Sequence, residues 1–316
     1  RQRPEPRSEE DVMQELTFAV SVALPKGGVG KTTTAVGLGL TLGREPRLGS
    51  VLLVDADPQA SATTARAALV QRQNQRWRAA ASARGDEPGT CRQESFDTIY
   101  PFAQCQLSFP STGELARADV VRQLEAITYG RYQPISAAGP VAYGRGPDTV
   151  EPVVPNVLVI DTSPAYPAIL SGVLDFLARQ PRALLVVPTT MSDFDIPQAR
   201  QFSDVLQRST AANVRYAMLA TKYDRRRRAD GERLSGLRQG YPVFNTVVPY
   251  GAPFARGPFD DFDRPKSPYG RIYKSVTAEA VEMLTGRWQP AAVDHEAEAM
   301  ATGEPAAPVE AEPIHA

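Results

Sequence analysis

Short apolar runs, rich in Val, recur along the chain at Thr17–Leu24, Val51–Ala56, Val157–Ile160, Ala183–Val187, Val214–Ala220 and Val243–Val248. Strands buried on both faces of a parallel sheet read this way, because neither face needs polar side chains. Between them, apolar residues return at helical spacing over Thr32–Leu42, Ala60–Val70, Glu114–Thr128, Pro167–Arg179, Ile196–Arg208 and Arg271–Leu284. The alternation predicts a doubly wound α/β fold, a mostly parallel sheet flanked by helices, with ligands at the carboxyl ends of the strands. Residues 71–152 are less periodic, and there the pattern predicts one or two helices, long surface loops and an extra strand near Phe96–Tyr100. Residues 1–15 read as a charged arm, residues 16–290 as the folded domain, and residues 291–316, without aromatics, as a disordered acidic tail.

The first strand runs into Lys26-Gly-Gly-Val-Gly-Lys-Thr-Thr33, and a helix follows at once. Strand, glycine-rich loop and helix form the context of a phosphate-binding loop. Gly27, Gly28 and Gly30 remove side chains so that the amides of this stretch, Val29 and Thr33 included, can turn toward oxyanions. The helix N-terminus adds its dipole. Lys31 is placed to reach the β- and γ-phosphates, and the Thr32 hydroxyl to ligate Mg²⁺. The loop opens on a second lysine, Lys26, where a glycine is usual.

Two further apolar strands end in carboxylates. Residues 51–59 read VLLVDADPQ, with Asp55 and Asp57 at the strand end, and residues 157–161 read VLVID, ending in Asp161. Acids beside a polyphosphate repel it unless they orient a water or a metal ion, and a buried strand that aims one carboxylate at hydrated Mg²⁺ is a Walker B shape. The bland reading of Asp55 and Asp57 is a pair of helix-capping acids before Pro58.

Formal net charge is −1, but the six acids between Asp294 and Ala316 conceal a mildly basic body of 35 basic and 30 acidic residues. Arg225 to Arg228 are four adjacent arginines, expected in solvent or opposite an anion. Cys91 and Cys105 are too far apart for a Cys-x-x-Cys pair, and both histidines lie in the tail, which excludes a His-based triad or metal site. No run is long enough to span a bilayer and no signal peptide precedes the first strand, so a cytoplasmic location is expected; the chain opens on Arg1, not Met.

The octet at 26–33 resembles the deviant Walker A motif of the ParA/MinD family of P-loop ATPases, most closely the ParA branch, and the resemblance extends over about residues 17–288. It implies ATP and Mg²⁺ as cofactors and a homodimer in the ATP-bound state, in which Lys26 reaches across the interface to the partner's phosphates. Asp55-Ala-Asp-Pro-Gln59 is similar to the family's switch I. That likeness implies that Asp57 positions the attacking water and that Asp55 supports the Mg²⁺ shell with Thr32 and Asp161. Ser163 stands where the family commonly has proline. Asp224 and Pro249 fall where relatives approach the base, although Thr221-Lys-Tyr-Asp224 also resembles the guanine motif of GTPases. The resemblance further implies non-specific DNA contact through Arg225, Arg226, Arg227, Arg228 and Arg256, nucleoid association, and hydrolysis stimulated by a ParB-like adaptor.

Two alternatives stand beside this reading. A MinD-like regulator binds membranes through a basic amphipathic C-terminal helix, but residues 291–316 hold no Lys, Arg, Phe, Trp or Leu, so no membrane contact is expected. The other is a P-loop GTPase. The N-terminal arm is too short for a helix-turn-helix domain, so no operator-specific reading is expected.

Overall fold

A computed structural model of the chain describes residues 18–65, 103–110, 115–132, 154–208, 214–251 and 267–289, with five helical positions between 68 and 83. The terminal segments, the proposed strand at Phe96–Tyr100, most of Ala60–Val70 beyond residue 65, and Arg256 lie outside the described residues.

Six strands, β1 (Phe18–Val22), β2 (Val51–Ala56), β3 (Ala103–Gln106), β4 (Val157–Thr162), β5 (Ala183–Thr190) and β6 (Arg215–Thr221), form one sheet in the order β3-β2-β4-β1-β5-β6. Every pairing is parallel. Side chains alternate between two cores, as a sheet covered on both faces requires. Phe18, Val20 and Val22 of β1 and Val51 and Leu53 of β2 face α1 (Lys31–Leu42) and α6 (Pro268–Thr285). Ala19 of β1 and Leu52, Val54 and Ala56 of β2 face α2 (Arg117–Thr128), α3 (Pro167–Ala178), α4 (Asp195–Gln207) and α5 (Arg228–Arg238). The strand order reverses at β1, and its two neighbours, β4 and β5, open a crevice at their carboxyl ends.

Two expectations need correction. Val243–Val248 is not a strand. It runs beside β6 with one bridge, Met218 to Val243, and isolated bonds such as Val248 N–H to the Ala220 carbonyl at 2.8 Å. The buried Glu279 carboxylate accepts the backbone N–H groups of Asn245 (2.6 Å) and Thr246 (2.7 Å), which draws the segment out of the ladder. The second correction is α5, which begins within the arginine run and whose polar sequence hides it from an apolar-periodicity reading. Among the described residues of the irregular region, Ala103–Gln106 forms a strand that pairs with β2 at the end of the strand order.

α1 and α6 pack unusually close. A Cβ built on Gly37 would lie 2.5 Å from the Tyr273 ring, and Tyr273 is fully buried. Gly37→Ala is therefore expected to cost about 1–3 kcal/mol by overpacking. Thermal unfolding would read this as a lowered Tm; an unchanged Tm would contradict the packing.

Candidate phosphate-binding site

The crevice holds a cavity of about 530 Å³ lined by the 27–33 loop on one side and by residues of the β2, β4 and β6 ends on the other. Gly28 (φ 75°) and Gly30 (φ 92°) sit in the left-handed region, where a side chain strains the backbone, and Gly30 caps α1. The Thr221 hydroxyl donates to the Val29 carbonyl (2.9 Å), tying the loop to β6. The loop is thus tied to the sheet, with the amide end of α1 at the cavity.

Gly27, Gly28, Gly30, Lys31, Thr32, Thr33, Asp57 and Pro249 all line this cavity. Lys31 is buried, and desolvation holds its ammonium below the ordinary lysine range, partly offset by Asp161 and Asp57. Its Nζ donates to the Lys26 carbonyl. A single backbone carbonyl is a weak partner for a desolvated ammonium, so an entering polyanion has a cation ready to receive it.

Asp161 is fully buried, and neither carboxylate oxygen has a hydrogen-bond partner among the described residues. Its carboxyl is pushed up to about 8, chiefly by burial and further by Asp55 and Asp57, with the Thr32 hydroxyl and Lys31 acting in the opposite direction. An orphaned buried carboxylate beside a threonine hydroxyl suits a hard divalent cation with oxygen ligands, so Asp161 and Thr32 fit Mg²⁺.

Asp55 does not line the cavity. One of its oxygens accepts from the Thr63 N–H and hydroxyl, both at 2.7 Å, and the other from the Asp57 N–H at 3.1 Å. Burial raises its pKa, and the Thr63 bonds lower it. Asp55 thus anchors the turn over residues 57–61 and the helical residues from 61, the capping role that the sequence left open beside the metal role. Asp57, by contrast, lines the cavity. Its carboxylate accepts from the Gln59 N–H (3.0 Å) and the Ser61 hydroxyl (3.1 Å), which fix its orientation and leave lone pairs for a water.

Asp224 is not brought to the cavity either. Its carboxylate accepts from the Arg226 guanidinium at 3.1 and 3.2 Å and from the Arg226 N–H at 3.1 Å. Those bonds hold its pKa below the usual carboxylate range, with Arg227 also contributing. Of the arginine run, Arg227 lies 3.8 Å from Asp224, Arg228 pairs with Glu232 at 2.7 Å, and all four are exposed.

Lys26 points away from its own cavity. Its Nζ lies 3.6 Å from the Asp195 carboxylate at the start of α4, and Asp195 also accepts from the Thr190 hydroxyl. Sequence reasoning missed Asp195, because nothing in a lone Asp marks it as the partner of a lysine far away in the chain. It also missed Tyr273, which lines the cavity from α6, and Lys222, whose backbone stands at φ 53° on the rim. A strained non-glycine residue at a cavity rim is a structural signal with no sequence counterpart.

Comparisons with known proteins bear on the family and the fold. Residues 20–261 match the CobQ/CobB/MinD/ParA nucleotide binding domain. A "Maintenance of carboxysome distribution protein A" from Gloeobacter kilaueensis is 61% identical over 44 residues, which are 14% of this chain and only 19% of that relative. The fold resembles a crystal structure of a plasmid partition protein from Borrelia burgdorferi B31 bound to AMPPNP (TM-score 0.50, 15% identity, 85% of this chain and 99% of that one). It also resembles apo McdA from Cyanothece (TM-score 0.51, 14% identity, 84% and 99%). With a phosphate loop at the switch point of an all-parallel sheet and a family match over most of its length, the chain belongs to the CobQ/CobB/MinD/ParA family of nucleotide-binding domains.

Proposed function

We propose that the protein is a ParA-type ATPase that positions a cargo, cycling between an ATP-bound homodimer that holds DNA without sequence preference and a nucleotide-released monomer. The single observation that carries this reading is the placement of Lys26. It opens a phosphate loop, yet its ammonium lies on Asp195 outside its own cavity, where it is free to serve a second subunit. Exposed Phe194 (79% exposed), next to Asp195, gives that face apolar area for a second copy. Asp161 and Thr32 would hold Mg²⁺, which would supply charge neutralisation to a bound polyphosphate. Lys31 holds the phosphates and Asp57 orients the water. Asp224, engaged by Arg226 and set back from the cavity, is badly placed to accept the N–H groups of a guanine, which favours ATP over GTP.

Phosphate contacts that order one of two conformations turn nucleotide state into a binding switch. The ion pair that retains Lys26 is weak, because the lysine is one-third exposed and such pairs contribute about 0–1 kcal/mol. Asp195→Ala is accordingly expected to shift ATP-dependent dimerisation to lower protein concentration by less than about tenfold. Light scattering over a dilution series checks this; weaker dimerisation would give Asp195 a different role. The exposed Arg225 to Arg228 run is the candidate DNA grip, with slow hydrolysis stimulated by a ParB-like adaptor as the release step. The test is DNA retention with and without a non-hydrolysable ATP analogue over a salt series. Analogue-dependent retention that falls steeply with salt supports the cycle; equal, salt-insensitive retention in both states overturns it. No described helix is long and apolar enough to cross a membrane.

A further inference from the structure

Beyond the nucleotide cavity, the end of α1, residues 44–48 after it and one side of α6 from Gly270 onward line a second one, of about 550 Å³. Arg44, Arg47, Lys274 and Arg287 contribute four cations to it, against two carboxylates, Glu45 and Glu282. Arg47, Lys274 and Arg287 are all exposed. Nothing in the phosphate-loop account uses this groove.

We infer that the groove is the docking site of the chain's own acidic segment, residues 294–316. Charge complementarity is the first argument. The segment carries Asp294, Glu296, Glu298, Glu304, Glu310 and Glu312, and no Lys or Arg follows Arg287. Reach is the second. Arg287 itself lines the groove, the described chain ends at Gln289, and Asp294 comes five residues later. Five extended residues span about 17 Å, more than the roughly 10–12 Å width of a helix, so the first acids can round α6 to its groove side. A tether this short holds the segment at an effective concentration of about millimolar, which raises several individually weak exposed pairs to appreciable occupancy.

Charge spacing is the third argument, and it separates the segment from a nucleic acid. Duplex phosphates present a charge about every 1.7 Å, and Glu45 and Glu282 would repel such a dense array. The acids of the segment are at least two residues apart, about 6–7 Å when extended, so each can meet one cation between the two glutamates. The docked segment is an internal counter-ion that screens this flank of α6 from other polyanions.

Zero-length carbodiimide crosslinking of the full chain, followed by peptide mass spectrometry, tests the inference. The expected result is isopeptide bonds from Lys274 to Asp294, Glu296, Glu298 or Glu304 in the monomeric band, at yields at least fivefold above those from exposed Lys222. Yield falls at least fivefold in 0.5 M NaCl, where screening shortens the reach of exposed pairs, and likewise in Arg47→Glu, an exposed position whose unchanged melting curve serves as the folding control. Absence of Lys274 crosslinks to the segment, equal yields at Lys222, bonds found only between isotopically distinct chains, or indifference to Arg47→Glu would overturn it.

Discussion

Lys31→Ala is expected to abolish nucleotide binding at ordinary concentrations. Lys31 is 7% exposed at the head of α1, with its ammonium desolvated and its Nζ parked on the Lys26 carbonyl. In the nucleotide complex that ammonium exchanges a neutral carbonyl for phosphate oxygens. Hydrogen bonds to charged groups contribute about 1.5–3 kcal/mol each, so losing two weakens affinity by about 100-fold or more. The amides of Gly28 and Gly30 and the α1 dipole remain, but they are partial charges against a polyanion. Isothermal titration with an ATP analogue checks this, and affinity within threefold of the parent would mean that the phosphates lie elsewhere.

Asp57→Ala is expected to keep ATP binding and dimerisation but to reduce turnover by about 10²–10⁴-fold, the range for a positioned acid–base group. Asp57 lines the cavity, and its carboxylate is fixed by Gln59 and Ser61. Its orientation is therefore set by the chain itself. The fold should survive, because the turn over 57–61 is also held by Asp55 through Asp57 N–H and Thr63. A slowed single-turnover rate with normal analogue affinity is the signature sought. Ordinary turnover in the variant would remove Asp57 from the chemistry. Asp55→Ala should behave differently: with its three bonds lost, the thermal transition itself should drop.

Five of the six strands were legible because each is an apolar run that needs no partner to be recognised, whereas β3, Ala-Gln-Cys-Gln, carries no such run. Val51–Ala56 was placed at its observed bounds. Val243–Val248 was misread because its pattern matches a strand, while its fate is decided by Glu279, more than thirty residues away on α6. The phosphate loop was legible for the opposite reason: its chemistry is local, carried by glycines and a lysine within one octet. Asp55 and Asp57 look equivalent in sequence, and only the position of Thr63 and Ser61 separates an anchor from a cavity-facing acid. Asp224 likewise has the right spacing for base recognition but is drawn off by Arg226, two residues on. The pairing of Lys26 with Asp195 depends on α4 starting beside the loop, a tertiary fact.

The central claim is that Lys26 completes the nucleotide site of another subunit, and a complementation assay tests it most directly. Lys26→Ala and Asp57→Ala chains are each expected to be nearly inactive alone. Mixed as monomers before ATP is added, they form some dimers in which the Lys26→Ala site has its own Asp57 and receives Lys26 from its partner. Turnover should recover toward roughly a quarter of the parent value, since half of random pairs are mixed and one site in each is complete. A mixture no more active than the sum of its parts would place Lys26 in service of its own phosphates and contradict the account.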